Sequence, residues 1–213
     1  MSVADIVMTR KLEEVVHFTT NRGCLGTLYT EALKSRARLE SEPLVEHLFR
    51  PNAQFRKDAA FLDYVSLSIG WINKKFFDTC SERWHQGTDV FWVILSFKPT
   101  CLSDPGVIFS TTNNIYTGVL RGHGATGFER LFANPVSQWH SRTVRRADTL
   151  SDAFPTCEQA EALYPGEVST RFLQRIYTRT EAERSEVMGF FKGTWHDPVE
   201  VRVEPFRFDG RPS

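Results

Sequence analysis

Short runs rich in β-branched and aromatic residues, several alternating apolar and polar, recur along the chain. They fall at Val15–Thr20, Leu62–Ile69, Val90–Phe97, Val107–Ser110, Gln159–Leu163, Phe172–Thr178 and Val199–Val203. Such runs predict strands, with successive side chains on opposite faces. Helical spacing is rarer. It appears over Gly26–Arg38 (Leu28, Ala32, Leu33), over Trp71–Cys80 (Trp71, Ile72, Phe76, Phe77) and over Thr180–Lys192. The last opens with Thr180 followed three residues later by Glu183, a pair that can cap each other's backbone N–H groups. Strands outnumber helices and do not alternate with them as βαβ units, which predicts an α+β fold with mostly antiparallel strands. No repeat, low-complexity run or long linker divides the chain, so a single domain over residues 1–213 is expected.

Two stretches stand outside this pattern. Arg121–Gly127 (Arg-Gly-His-Gly-Ala-Thr-Gly) is glycine-rich but does not match a phosphate-binding loop, and reads as a flexible connection into a helical Gly127–Phe132. Asn134–Cys157 has little periodicity, and an irregular segment of that length within a domain is usually functional or mobile.

Composition narrows the function classes. Twenty-six basic residues balance twenty-six acidic ones, which excludes a polycation that binds nucleic acid through overall charge but not a local basic patch. Cys24, Cys80, Cys101 and Cys157 are far apart with no CxxC among them, so packed thiols are expected rather than a metal site or disulfides. Histidines 17, 47, 85, 123, 140 and 196 show no HxxxH spacing, and no GxSxG is present. No metal is expected. The first fourteen residues mix acids and bases, and no apolar run approaches a membrane span. The expectation is therefore a cytoplasmic protein without a secretory leader or membrane anchor.

Two polar sets lie on predicted strands. His17-Phe18-Thr19 sits in the first. In the fifth, strand geometry puts Gln159, Glu161 and Leu163 on one face and Ala160 and Ala162 on the other. Taken singly, each reads as ordinary: a structural histidine, and an edge-strand carboxylate in solvent.

Together with Asp63-Tyr-Val-Ser-Leu-Ser-Ile69, Phe109-Ser-Thr-Thr-Asn-Asn114 and Ile176-Tyr177, these sets follow one another in an order that resembles the DarT-type DNA ADP-ribosyltransferase toxins. The resemblance covers about residues 14–178. It implies an ADP-ribosyltransferase-like fold with split, mostly antiparallel β-sheets and flanking helices. It implies NAD as co-substrate, with His17, Phe18, Thr19 and Ser68 at the NAD site and Glu161 as the catalytic carboxylate. It also makes the segment before Glu161 the selector of the acceptor. There Trp139 and His140 offer flat faces for stacking, and Arg142, Arg145 and Arg146 offer guanidinium groups, a set suited to single-stranded DNA. Without the resemblance this would read as a solvated basic loop.

Two departures from the family pattern stand out. Where thymine-modifying members carry an arginine after the Asp-Tyr-Val strand, this chain has Asn73 followed by Lys74 and Lys75. That region resembles the guanine-modifying branch, which makes Asn73 and Lys74 candidate acceptor-side catalytic residues. Gly23 stands where relatives commonly have asparagine. The resemblance further implies a toxin whose partner is an ADP-ribose-removing antitoxin, of macrodomain or NADAR type. Transfer to RNA, protein or water remains open, as does a non-enzymatic nucleic-acid-binding module in which Glu161 is structural.

Overall fold

The structure, a computed structural model, describes residues 1–39, 59–84, 89–139 and 142–211. Its frame is an eight-stranded sheet. In chain order the sheet strands are β1 (Val15–Thr20), β3 (Tyr64–Ile69), β4 (Trp92–Phe97), β5 (Ile108–Ser110), β6 (Arg121–His123), β9 (Glu161–Pro165), β11 (Leu173–Thr178) and β12 (Glu200–Val203). They lie side by side as β12-β11-β4-β1-β3-β9-β5-β6. Every neighbouring pair is antiparallel except β11 with β12. Each predicted strand has a counterpart here, displaced by at most two residues at any boundary.

The sheet is split in the middle. β1 pairs with β4 over six positions, from Val15↔Phe97 to Thr20↔Trp92. It pairs with β3 over only two, Val15↔Ile69 and Val16↔Ser68. Beyond Val16 the two strands diverge, and the opening between them is where the polar residues of both collect. β4, with neighbours on both edges and all six residues buried, is the backbone of the core. Val15, Val93, Leu95 and Ile176 pack on one face of the sheet. Val16, Ile94 and Tyr177 pack on the other with Phe77 and Phe208.

Helices cover the faces: α1 (Val3–Thr9), α2 (Asn21–Tyr29), the single turn α3 (Arg36–Leu39), α4 (Lys74–Thr79), α5 (Gly124–Glu129) and α6 (Glu181–Thr194). The Thr180–Glu183 capping box forms as expected. The predicted Gly26–Arg38 helix does not. Its helix starts earlier, because the Thr20 hydroxyl accepts the Gly23 N–H, and a left-handed Glu31 (φ 54°) ends it. The following Ala32–Lys34 is β2, which pairs with β10 (Glu167–Ser169).

Two further expectations are corrected. Arg121–Gly127 is not a flexible loop; it is β6 running into α5. Its glycines serve packing, since a Cβ on Gly127 would lie 2.3 Å from the Gly122 carbonyl carbon. Asn134–Cys157 is not wholly irregular. Val136–Ser137 (β7) and Thr143–Val144 (β8) form a small hairpin with Trp139 and Arg142 near its tip. Towards the C-terminus the chain is built into the fold as far as Arg211. β12 extends the sheet, and Arg211 donates to the carbonyls of Pro155 and Thr156.

The four cysteines are buried and unbridged, as the spacing predicts. Among the described residues no helix is long and apolar enough to cross a membrane.

Candidate active site

The divergence of β1 from β3 opens a cavity of about 420 Å³, within the range of small-molecule sites. Alternation along β3 buries Val65, Leu67 and Ile69 and turns Tyr64, Ser66 and Ser68 the other way; both serines line the cavity. His17 and Thr19 line it from β1, Glu161 from β9, and Asn73, Lys75 and Phe76 from the start of α4.

His17 bridges the split. Its Nδ1 lies 2.9 Å from the Ser66 carbonyl oxygen, an acceptor only, so the proton sits on Nδ1 and the imidazole does the work of the missing ladder. Phe18, on the same strand, packs against the rings of Phe76, Phe77 and Trp92 and forms an apolar wall. Thr19 is pressed against Gly23: a Cβ there would lie 2.0 Å from Thr19 Oγ1. The glycine is thus matched to the present position of the Thr19 side chain.

Glu161 is the first residue of β9, with its Cα opposite Ser68. Its carboxylate reaches diagonally to accept the Ser66 hydroxyl at Oε2, and accepts the Asn114 N–H at Oε1. Asn114 is only 4% exposed and is itself gripped by Arg121, whose Nε and Nη2 donate to its side-chain and backbone oxygens at 2.6 and 2.7 Å. The carboxylate is thereby oriented at the cavity wall. Lys34, Arg36 and Lys75 bring positive charge to the same cavity, and Phe18, Tyr64 and Trp92 bring flat apolar surface. A dinucleotide needs these partners: donors and acceptors for ribose hydroxyls, cations for a pyrophosphate, and faces for planar rings.

Of the residues expected at the cavity, His17, Phe18, Thr19, Ser68, Asn73 and Glu161 line it. Asn73 also caps α4, its Oδ1 accepting the Phe76 N–H at 3.2 Å. Lys74 is a correction. The cap phases the helix so that the Lys74 ammonium points to Asp78, with both carboxylate oxygens at 2.6 Å, and Lys75 takes the place at the cavity.

The acceptor-side set divides as well. Trp139 stands at the hairpin tip, 41% exposed, and stacks on Tyr116 with centroids 5.8 Å apart and planes 26° apart. Tyr116 lines the cavity, so the hairpin and cavity form one continuous surface. Arg142 and Arg145 are exposed. Arg146 is committed elsewhere. It donates to the carbonyls of Phe154, Leu150 and Ser151 and pairs with Asp152, so it staples the loop rather than offering itself to a phosphate. His140 lies outside the described residues.

Sequence reasoning assigned no role to Ser66, Asn114, Tyr116 or Arg121. The first two lie inside quoted motifs, and the Asn113-Asn114 pair was the available signal. Among the described residues no cluster of His, Cys, Asp and Glu is arranged to hold a metal.

A family model described as DarT, ssDNA thymidine ADP-ribosyltransferase, matches residues 17–209. No curated protein matches the chain. Among solved structures, the DarT of Thermus sp. 2.9 in complex with carba-NAD+ superposes with a TM-score of 0.62 at 13% identity, covering 92% of this chain and 98% of that one. The same protein in complex with ADP-ribosylated ssDNA gives 0.60 at 13%, covering 92% and 96%. Thermosipho africanus DarTG in complex with ADP-ribose gives 0.62 at 12%, covering 92% of this chain and 51% of that one.

Proposed function

This chain belongs to the DarT family of single-stranded-DNA ADP-ribosyltransferases, with NAD as co-substrate, and we propose that Glu161 is its catalytic carboxylate, guanine its acceptor base and toxicity its cellular role. The observation that carries the reading is the carboxylate of Glu161, held by the Ser66 hydroxyl and the Asn114 N–H at the wall of a cavity that also gathers His17, Thr19 and Ser68.

Breaking the nicotinamide–ribose bond builds positive charge on the ribose. A carboxylate oriented beforehand stabilises that charge without having to reorganise, and by accepting a ribose hydroxyl it also fixes the sugar. His17, whose Nδ1 is turned to the Ser66 carbonyl, sets its ring at the cavity wall beside the ribose-binding carboxylate. The acceptor strand lies across the Tyr116–Trp139 stack, where bases find aromatic faces, with Arg142 and Arg145 available for its phosphates. An unpaired base is reached there without the cost of leaving a duplex.

The choice of guanine is supported by the identity and position of residue 73. A thymine ring nitrogen must lose its proton in the course of transfer. Asn73 supplies no base, the Lys74 ammonium is occupied by Asp78, and Lys75, which does reach the cavity, is an ammonium that donates rather than accepts. A guanine amine attacks with its lone pair and sheds its proton to solvent once the new bond has made it acidic. It therefore needs orientation more than a base, and the Asn73 amide, held as the cap of α4, provides it. The second reading is thymidine, favoured by the description of the matching family. A cytoplasmic toxin of this kind needs an ADP-ribose-removing partner, of macrodomain or NADAR type. The DarTG neighbour, of which this chain covers 51%, supports such a pairing.

The test is the intact mass of single-stranded oligonucleotides, differing only in carrying guanine or thymine, after incubation with protein and NAD. Gain of one ADP-ribose on the guanine oligonucleotide alone is expected. Joint replacement of Arg142 and Arg145 by alanine should raise the KM for the oligonucleotide and flatten its salt dependence, leaving the KM for NAD unchanged. Gain on thymine alone would replace the acceptor. NAD consumption without gain on either would move the acceptor to RNA, protein or water.

A further inference from the structure

Arg121 opens β6, the last strand of the sheet, and its Cα lies opposite Ser110 of β5, which is in turn opposite Glu161 of β9. From that edge its guanidinium turns onto Asn114. One prong, Nε, donates to the side-chain Oδ1 at 2.6 Å; another, Nη2, donates to the backbone carbonyl at 2.7 Å. A planar fork that grips both oxygens of one residue restricts its backbone and side-chain torsions together, which a lysine could not do. The Phe61 ring, 5.0 Å from the guanidinium carbon, holds the fork from another side. The residue so gripped is the one whose N–H meets Glu161 Oε1. Arg121 itself is not among the residues that line the cavity.

We infer that Arg121 is a positioning residue for the transfer: it fixes the Asn114 N–H, and through that N–H the direction in which the Glu161 carboxylate faces the cavity. The inference rests on Glu161 being the catalytic carboxylate. It assigns a function to the glycine-rich Arg121–Gly127 stretch, whose close packing of Gly122 on Gly127 seats β6 against α5 and so sets where the guanidinium starts. Among the described residues the buried Asn114 amide nitrogen meets no partner, and the grip on this residue comes through its oxygens and its N–H.

Three proteins and two readouts test it: wild type, Arg121→Ala and Arg121→Lys, followed by steady-state kinetics and by amide exchange of Asn114 measured by NMR. In Arg121→Ala, kcat should fall about 10- to 100-fold while KM for NAD changes by less than about threefold, the signature of lost orientation rather than lost binding. Arg121→Lys keeps the charge and loses the fork, and should fall between the two. Exchange at Asn114 should accelerate about tenfold or more in Arg121→Ala, with the rest of β9 and β5 still protected, which also shows that the variant is folded. A kcat within about twofold of wild type, or a loss carried wholly by KM, would overturn the inference. So would unchanged exchange at Asn114. A wild-type protein that binds NAD without turning it over would instead remove the assignment of Glu161, and the exchange readout would still decide the clamp.

Discussion

Two glutamates on this sheet meet opposite fates. Glu14, just ahead of β1, is 4% exposed and closed in on every oxygen: Ser96 donates at 2.5 Å, Tyr177 at 2.8 Å and Arg207 at 2.6 Å. Arg207 comes from the C-terminal turn Pro205–Asp209, and its guanidinium also lies over the rings of Trp71 and Tyr177. This carboxylate ties the chain's end to the start of its first core strand and does not line the cavity of the candidate site. Glu161 is held by donors too, from Ser66 and Asn114, but it stands where β1 and β3 have parted and so lines the opening. The difference teaches that a buried, fully compensated carboxylate is architecture, whereas one oriented from behind and open in front can act on a substrate.

The comparison can be broken by exchanging the expected costs. Glu14→Ala strands the Ser96 and Tyr177 hydroxyls and takes from the largely buried Arg207 one of its two carboxylates, Glu204 remaining at 3.0 Å; breaking a buried pair typically costs about 3–5 kcal/mol. Because Arg207 is 19% exposed, the low end is expected, read as a shift in the urea midpoint with kcat of the folded protein little changed. Glu161→Gln should do the reverse. The Asn114 N–H still finds the amide oxygen, and the Ser66 hydroxyl can turn to accept from the amide NH2, so the melting temperature holds. The rate of oligonucleotide modification falls by roughly 10²–10³, about 3–4 kcal/mol, the usual value of one preorganised electrostatic contact. The proposed toxicity predicts growth arrest on expression of the wild type and its loss in this variant. A variant that lost stability and rate together at either position would erase the distinction.

The smallest effect sharpens the same theme of burial. Burial pushes the Cys24, Cys80 and Cys101 thiols from 9.0 up to about 12. Burial, reinforced by Glu14, pushes Tyr177 from 10.0 up to about 12. These groups stay protonated in the folded chain while the unfolded chain ionises them. Their contribution is therefore complete below about pH 9 and is lost as pH rises toward about 12. Chemical denaturation between pH 8 and 11 should show a falling midpoint, and the native thiols should resist alkylation at pH 8.

Much of this was legible in the residues. Strand segments announce themselves because β-branched and aromatic side chains suit a pleated surface, and β3 kept the alternation that placed Ser66 and Ser68 opposite Leu67. The Thr180–Glu183 box marked its helix because both capping partners lie within one turn. What failed depended on partners distant in sequence. Ala32–Lys34 has helical spacing, yet β10, some way along the chain, recruits it into a ladder. Lys74 and Lys75 are indistinguishable as letters, and only the Asn73 cap and Asp78 decide which of them meets the cavity. Arg146 read as a phosphate contact because charge is visible in sequence and carbonyl partners are not.

By itself, then, the sequence determined the inventory: the strands, the capped final helix, the packed thiols and the ordered motifs that point to His17 and Glu161. Local preference and side-chain chemistry are properties of neighbouring residues and survive without a fold. The tertiary structure alone decided the arrangement. It parted β1 from β3 after Val16, brought Asn114 and Ser66 onto one carboxylate, closed Glu14 away and left Glu161 open. Those outcomes depend on contacts between residues tens of positions apart, whose geometry no local pattern encodes.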